Sequence, residues 1–105
     1  MIRSMQSALS GMRAHQGMLD VVGNNISNVS TTGFKSSGVV FQDILTQVIS
    51  GAGAPTEILG GTNPAQVGLG VRLAGVSQSM AQGALQRTGR SGDMSIQGDG
   101  FFLVN

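Results

Sequence analysis

A seven-residue repeat of apolar side chains near the start of the chain limits what the chain can fold into. From Ser4 to about Val29, apolar residues occupy the a and d positions of nearly four heptads. This spacing places a narrow apolar row along one side of an α-helix, as in coiled coils. The sequence therefore predicts a long helix that presents one side to a partner. We call this row the heptad stripe, and its residues are Met5, Ala8, Met12, His15, Leu19, Val22, Ile26 and Val29.

Polar residues on both sides of the repeat predict where the helix begins and ends. Ser4 is suited to be an N-cap, although Ser7 stands where a capping box would have Glu or Gln. Asn28 and Gly33 belong to an Asn-, Ser- and Thr-rich stretch that tolerates left-handed backbone and competes for backbone hydrogen bonds. We expect the helix to stop between these two residues.

The helix contains three glycines, Gly11, Gly17 and Gly23. Each costs about 1 kcal/mol relative to alanine, and isolated helices are marginal in water, so the helix alone should be frayed or unfolded. The stripe could pack on the rest of its own domain or on a partner outside this chain. The remainder of the sequence offers no second helix with a matching repeat, which favours the outside partner.

The rest of the chain is rich in turn residues and short apolar runs. Residues 39–49 fit either a short helix or an extended segment, and residues 50–66 read as a long loop. Alternating apolar residues at 67–74 predict a half-buried strand, and Gly75 shifts the alternation, which indicates a bulge. Residues 101–104 predict another strand that is apolar on both faces.

These elements predict an α+β fold with a long coiled-coil-type N-terminal helix, an extended linker and the start of a small β domain. We expect residues 1–33 to form the long helix, residues 34–66 an extended connection, and residues 67–105 the beginning of a β-rich domain. That domain is expected to be incomplete within this chain.

The composition argues against catalysis and against several classes of ligand. The chain has no cysteine and a single histidine, His15, which lies on the heptad stripe where a contact role is expected. No Gly-rich phosphate loop is present, and Asp93 and Asp99 occupy turns that favour Asp for its conformation. Six Lys or Arg and five Asp or Glu form no basic cluster. We therefore expect no catalytic, cofactor-binding or metal-binding residues, no nucleic-acid partner and no insertion into a membrane.

Two blocks of the sequence resemble the flagellar rod and hook protein family. The first runs from the end of the heptad repeat through an Asn-Asn-Ile-x-Asn segment to Gly-Phe-Lys, with Ser27 where the family usually has alanine. The second spans residues 82–102. The residues that carry the first block are Asn24, Asn25, Ile26, Asn28, Gly33, Phe34 and Lys35.

The resemblance implies a structural subunit that assembles into the tubular flagellar hook, transmits motor torque and lines the export channel. In such a subunit, residues 1–33 would be the axial helix in the core of the filament and residues 34–66 the connection between subunits. Implied partners are copies of itself, the C-terminal helix of the same full-length chain, adjacent rod and hook-junction proteins, and the export apparatus. The implied location is the bacterial flagellum, outside the cell, reached without a cleaved signal peptide.

Two other interpretations of the same residues stay open. A distal rod subunit of the flagellar basal body shares both blocks, and residues 41–45 resemble the rod, whereas residues 60–71 look more like hook proteins with a long connection. A monomeric adaptor could use the helix to bind a single partner. We favour the hook.

Overall fold

The computed structural model describes residues 1–105 and begins with one long helix, α1 (Ile2–Ser27), of 26 residues. At 1.5 Å per residue it is about 39 Å long. The helix predicted from the heptad repeat is confirmed. The predicted N-cap was wrong, because the cap is Met1, whose carbonyl accepts the Met5 amide at 3.1 Å. Ser4 lies inside the first turn, where its hydroxyl donates to the Met1 carbonyl at 2.7 Å.

The helix ends where the polar stretch predicted. Asn28 is the C-cap, and its amide donates to the carbonyl of Asn24 at 3.1 Å. Gly33 follows with φ of +74°, a left-handed conformation that glycine adopts without the cost a side chain would add. The chain thereby leaves the helix axis and turns back towards it.

Four strands then form one long, interrupted β-hairpin. They are β1 (Ser37–Asp43), β2 (Gln47–Ser50), β3 (Ala65–Val67) and β4 (Val71–Gln78). β1 pairs antiparallel with β4, and β2 pairs antiparallel with β3, so the chain runs outward from residue 37 to 50 and returns from 65 to 78. We call residues 37–78 the hairpin and residues 51–64 its tip. The extended form of residues 39–49 is therefore the correct alternative.

A bulge in β4 determines which side chains face the helix. Val40 pairs with Gly75 and Phe41 with Leu73, so Ala74 is an extra residue. Side chains alternate along a strand, and Leu73 and Val76 are three positions apart, so a regular strand would place them on opposite faces. The bulge predicted at Gly75 is confirmed, and it puts both side chains on the face that packs against α1.

Two expectations for the later strands need correction. Residues 67–74 do not form one strand, because Gly68 to Gly70 separate β3 from β4. Residues 101–104 form no strand, because their backbone groups take part in no ladder, and their side chains are exposed. The division of the chain at residue 66 stays a prediction, although the strands before and after that residue pair with each other.

The molecule is α+β, as predicted, but has almost no core. Ala14 is the one buried residue, at 6% exposure. The radius of gyration is 23.9 Å and the longest dimension is 81 Å, whereas a compact chain of this length would have a radius of about 13 Å. α1 packs only on β1 and β4, so β2, β3 and the tip extend away from the helix.

Residues 79–105 have no regular secondary structure and lie beside the residues that follow α1. The Ser79 amide donates to the Ser36 carbonyl at 2.8 Å. The Lys35 ammonium donates to the Ala81 carbonyl at 2.7 Å, and the Thr32 hydroxyl donates to the side-chain oxygen of Gln86 at 3.2 Å. These hydrogen bonds hold the start of the segment against the turn after the helix.

Candidate assembly surface

The side of α1 that packs on the hairpin is built from small residues. Ser10, Ala14 and Gly17 recur at spacings of three and four, which places them on one side of the helix. A Cβ added at Gly17 would lie 3.3 Å from Leu73 Cδ1, so the strand already contacts the helix backbone there. Small residues permit this approach, and they leave the larger apolar side chains of α1 for other contacts.

The hairpin comes closest to the helix at Gly70. This residue has φ of +123°, and a Cβ at this position would overlap the hydroxyl of Ser10. That hydroxyl donates to the Ser7 carbonyl at 2.7 Å and accepts the Val71 amide at 3.3 Å. Glycine is required here for both the backbone conformation and the available space.

The heptad stripe lies on a different side of α1, and all of its residues are exposed. With about 100° per residue, the centre of the stripe is roughly 120° around the helix from Ala14. Met5, Leu19 and Ile26 are 69%, 68% and 67% exposed. The hairpin therefore leaves most of the stripe uncovered, which argues against the alternative in which the stripe as a whole packs on the chain's own strands. Its role as an assembly interface stays a prediction.

His15 lies at the edge of the stripe nearest the hairpin. Its ring packs against the ring of Phe41 in β1, with centroids 5.4 Å apart and planes inclined by 60°. This tilted aromatic contact is a common packing geometry. It joins the stripe to the hairpin, and the predicted role of His15 in an assembly contact stays a prediction.

Asn25 connects the end of α1 to the start of the hairpin. Its side-chain nitrogen donates to the Ser37 carbonyl at 2.7 Å, and its side-chain oxygen accepts the Ser37 amide at 3.0 Å. The amide group thus satisfies both backbone groups of Ser37, as a neighbouring strand would. The sequence marked Asn25 only as a family signature, and this pairing was missed because Ser37 is distant in the sequence.

The other signature residues shape the turn that follows the helix. Asn28 donates from its side chain to the carbonyl and the side-chain oxygen of Asn24, at 2.9 and 2.7 Å, and accepts the Thr31 hydroxyl at 3.1 Å. These short-range bonds satisfy groups that the helix end leaves unpaired. Gly33 then supplies the left-handed residue, and Lys35 bonds the segment after β4. Phe34 is half-buried beside them, and Ile26 belongs to the exposed stripe.

The part of the hairpin that is distant from α1 carries exposed apolar side chains that the sequence pattern did not single out. Ile58 in the tip is 94% exposed, and Leu45, Ile49 and Leu59 are exposed as well. The sequence pattern that could have identified them is a few apolar residues among Gly, Pro and Thr. Phe41 and Ile44 of the same hairpin are less available, because Phe41 packs against His15 and Ile44 is half-buried where its amide donates to the Gly70 carbonyl at 3.0 Å.

The surface is sparsely charged. Arg72 pairs with the side-chain oxygen of Gln42 through two nitrogens, at 2.9 and 3.3 Å, on the face of the hairpin turned away from α1. No three His, Cys, Asp or Glu side chains come together as a metal site would require. None of the helical residues forms a segment with the length and hydrophobicity needed to cross a bilayer.

Comparison with known proteins relates this surface to the flagellum. Residues 5–35, which include the whole stripe and the whole Asn-rich signature, match the family of flagella basal body rod proteins. The chain is 53% identical over 104 residues to the flagellar hook protein FlgE of Treponema pallidum and 51% identical over 104 residues to that of Borreliella burgdorferi. It is 46% identical over 105 residues to the flagellar basal-body rod protein FlgG of Bacillus subtilis.

These matches cover 99–100% of this chain. They span only 22% and 24% of the two hook proteins and 40% of the rod protein. The matched family and the relatives agree with the resemblance carried by the two sequence blocks. Along its whole length the chain is similar to a part of the flagellar hook and basal-body rod proteins.

Proposed function

We propose that this chain forms the assembly core of a structural subunit of the flagellar hook, a tube that transmits motor torque and surrounds the export channel. The observation that carries the proposal is the separation of two surfaces on α1. One side is occupied by the hairpin, while the heptad stripe is left free along the helix. Full burial of a Leu, Ile or Met side chain contributes about 1.5–3 kcal/mol, so covering the stripe provides a driving force for assembly.

The stripe would pack against helices of neighbouring subunits and against a C-terminal helix of the same full-length chain. Adjacent rod and hook-junction proteins would meet the ends of the polymer, and the export apparatus would deliver the subunits. A heptad repeat of this kind is suited to helix partners because its residues interdigitate with those of a facing helix. The flagellum is the site of this assembly.

The hairpin would supply the second contact between subunits. The tip and the paired strands β2 and β3 lie away from α1, and Ile58 and Leu45 are exposed there. A projecting hairpin with free edges and exposed apolar residues is suited to reach a neighbouring subunit. We propose that residues 34–66 act as this connection and contribute to the bending stiffness of the tube.

Substitution of Leu19 and Ile26 by Asp tests the stripe. The double variant Leu19→Asp/Ile26→Asp should reach the culture supernatant in normal amount yet form no hooks, because two carboxylates would have to be buried in each helix contact. Export is measured by immunoblotting of the supernatant, and hooks are counted by electron microscopy of isolated basal bodies.

Gln6→Asp is the matched control for this test. Gln6 is exposed on α1 and lies outside the heptad stripe, so an added carboxylate there should leave hook assembly intact. Normal hooks in the Leu19→Asp/Ile26→Asp variant would contradict the proposal. Loss of hooks in both variants would also contradict it, because the effect would then not depend on the stripe.

A subunit of the distal rod is the second candidate function, and the 46% identity to a rod protein supports it. The stripe would serve the same purpose there, in a straight and rigid tube. Basal bodies from a strain lacking the protein separate the two. Complete rods without hooks support the hook, whereas rods that end early support the rod. A monomeric adaptor would form no tubes when the concentrated protein is viewed by electron microscopy.

A further inference from the structure

The heptad stripe contains two methionines whose thioethers are open to solvent in the unassembled chain. Met5 and Met12 stand one heptad apart on the same row of α1, at 69% and 64% exposure. Because both side chains are largely exposed, we expect a change in either one to leave the fold of the chain undisturbed. The chain has no cysteine, so methionine is its one readily oxidised sulfur side chain.

Oxidation of these side chains would change the chemistry of the stripe. In methionine the thioether is flexible and apolar, and it adapts to the irregular spaces of a helix contact. The sulfoxide is polar and chiral, and it disrupts apolar interfaces. Burying its oxygen without a hydrogen-bond donor is unfavourable.

We propose that Met5 and Met12 form a reversible oxidation site that controls whether the subunit can assemble, with a peroxide as the oxidant. This inference rests on the proposed role of the stripe in assembly. A sulfur lone pair attacks one peroxide oxygen, the O–O bond breaks and an S–O bond forms, and the other oxygen leaves as water after proton transfer. The thioether is oxidised by two electrons and the peroxide is reduced.

The consequence differs between the two states of the protein. In the unassembled subunit both sulfurs are accessible, and oxidation stops the stripe from being covered. In the polymer the stripe is covered, so the same sulfurs are protected. Methionine sulfoxide reductases convert both sulfoxide epimers back to the thioether, which would return the subunit to an assembly-competent state.

In the test, the purified full-length protein is treated with hydrogen peroxide before assembly. Peptide mass spectrometry measures the oxygen added at each methionine, and sedimentation measures the polymer formed. Oxidation of Met5 and Met12 should accompany a roughly tenfold or greater loss of polymer, because two polar groups would be buried per helix. Reduction by the two reductases should restore assembly.

The double variant Met5→Leu/Met12→Leu should form as much polymer after the same treatment as it forms without treatment, since leucine resists peroxide and conserves the volume. The matched control is Met80→Leu/Met94→Leu, which removes two exposed methionines from the segment after the hairpin. It should lose assembly as the parent protein does. Equal loss in both variants, or normal assembly of protein oxidised at Met5 and Met12, would overturn the inference.

A second measurement does not depend on variants. Peroxide applied to preformed polymer should oxidise Met5 and Met12 far more slowly than Met94, which is 77% exposed in the chain. Equal rates in the polymer would overturn the inference. The Leu19→Asp/Ile26→Asp variant separates the two ideas, because normal polymer from that variant contradicts the proposed function itself. Failure of that variant to assemble, together with unimpaired assembly of the oxidised parent, contradicts only the oxidation site.

Discussion

Asn25 shows how one side chain can hold two elements together. Its amide donates to the carbonyl of Ser37 and accepts from the amide of Ser37, so β1 begins at a fixed position beside the last turn of α1. Asparagine is suited to this role because a single planar group offers a donor and an acceptor side by side. A serine or threonine hydroxyl could not satisfy both groups in the same way.

We expect Asn25→Asp to destabilise the contact between helix and hairpin by about 1–3 kcal/mol. The aspartate keeps the acceptor for the Ser37 amide but places a second carboxylate oxygen against the Ser37 carbonyl. Hydrogen exchange at the Ser37 amide and denaturant unfolding measure the effect.

Asn24→Asp is the control for this substitution. The side-chain oxygen of Asn24 accepts from Asn28 and the side-chain nitrogen makes no hydrogen bond in the structure, so a carboxylate can replace it. This variant should unfold like the parent chain. If the two substitutions had equal effects, the paired hydrogen bonds of Asn25 would not be the cause.

At the scale of elements, the three glycines of α1 have different surroundings. A Cβ at Gly11 or Gly23 would meet nothing within 4 Å, whereas one at Gly17 would lie 3.3 Å from Leu73 Cδ1. The first two therefore weaken the helix without serving the contact with the hairpin. Gly17 lies where β4 approaches the helix.

We expect Gly11→Ala and Gly23→Ala each to stabilise the chain by about 0.5–1 kcal/mol, because alanine loses less backbone entropy in a helix. Gly17→Ala should gain little or nothing, since Leu73 has to move to admit the methyl group. Thermal unfolding followed by circular dichroism at 222 nm measures all three. A gain at Gly17 equal to that at Gly11 would show that the close packing against Leu73 has no energetic effect.

At the scale of the whole molecule, the chain is a long helix with a hairpin that projects from it. The hairpin is fixed to α1 near both ends of their contact, by Asn25 with Ser37 and by Ser10 with Val71. Further from this contact, the hairpin continues outward through β2 and β3, which do not contact the helix, and ends in the tip. With a single buried residue, the molecule has little internal packing to resist unfolding.

The tip can be replaced by a two-residue Asn-Gly turn that links Ser50 to Ala65. We expect this replacement to leave the unfolding of α1 unchanged. The two-residue turn suits the paired ends of β2 and β3, and the removed residues make no contact with the helix. Assembled tubes should bend more easily, because the exposed apolar residues of the tip are lost.

Circular dichroism of the shortened chain and fluctuation analysis of single hooks by light microscopy measure these two effects. A variant with the same length of tip but with Ile58 and Leu59 changed to Ser separates the loss of apolar contacts from the loss of length. Unchanged bending in both variants would contradict the proposed role of the tip.

The sequence by itself determined the features that depend on neighbouring residues. The heptad repeat fixed α1, the Asn-rich stretch and Gly33 fixed its end, and the shifted alternation at Gly75 indicated the bulge. Each of these depends on backbone preferences or side-chain periodicity over a few positions, which a linear sequence shows directly. The Ser4 cap failed because the choice between Ser4 and Met1 depends on where the first helical hydrogen bond forms.

The tertiary structure alone decided which side of α1 the hairpin covers. The hairpin packs mainly on the small residues around Ala14 and meets the heptad stripe at His15. This arrangement follows from the close approach at Gly70 and Gly17, which no periodicity displays. The pairing of Asn25 with Ser37 and of Ser10 with Val71 likewise joins residues far apart in sequence. Such contacts depend on the path of the whole chain, because short-range preferences fix the conformation of each segment but not which segments meet.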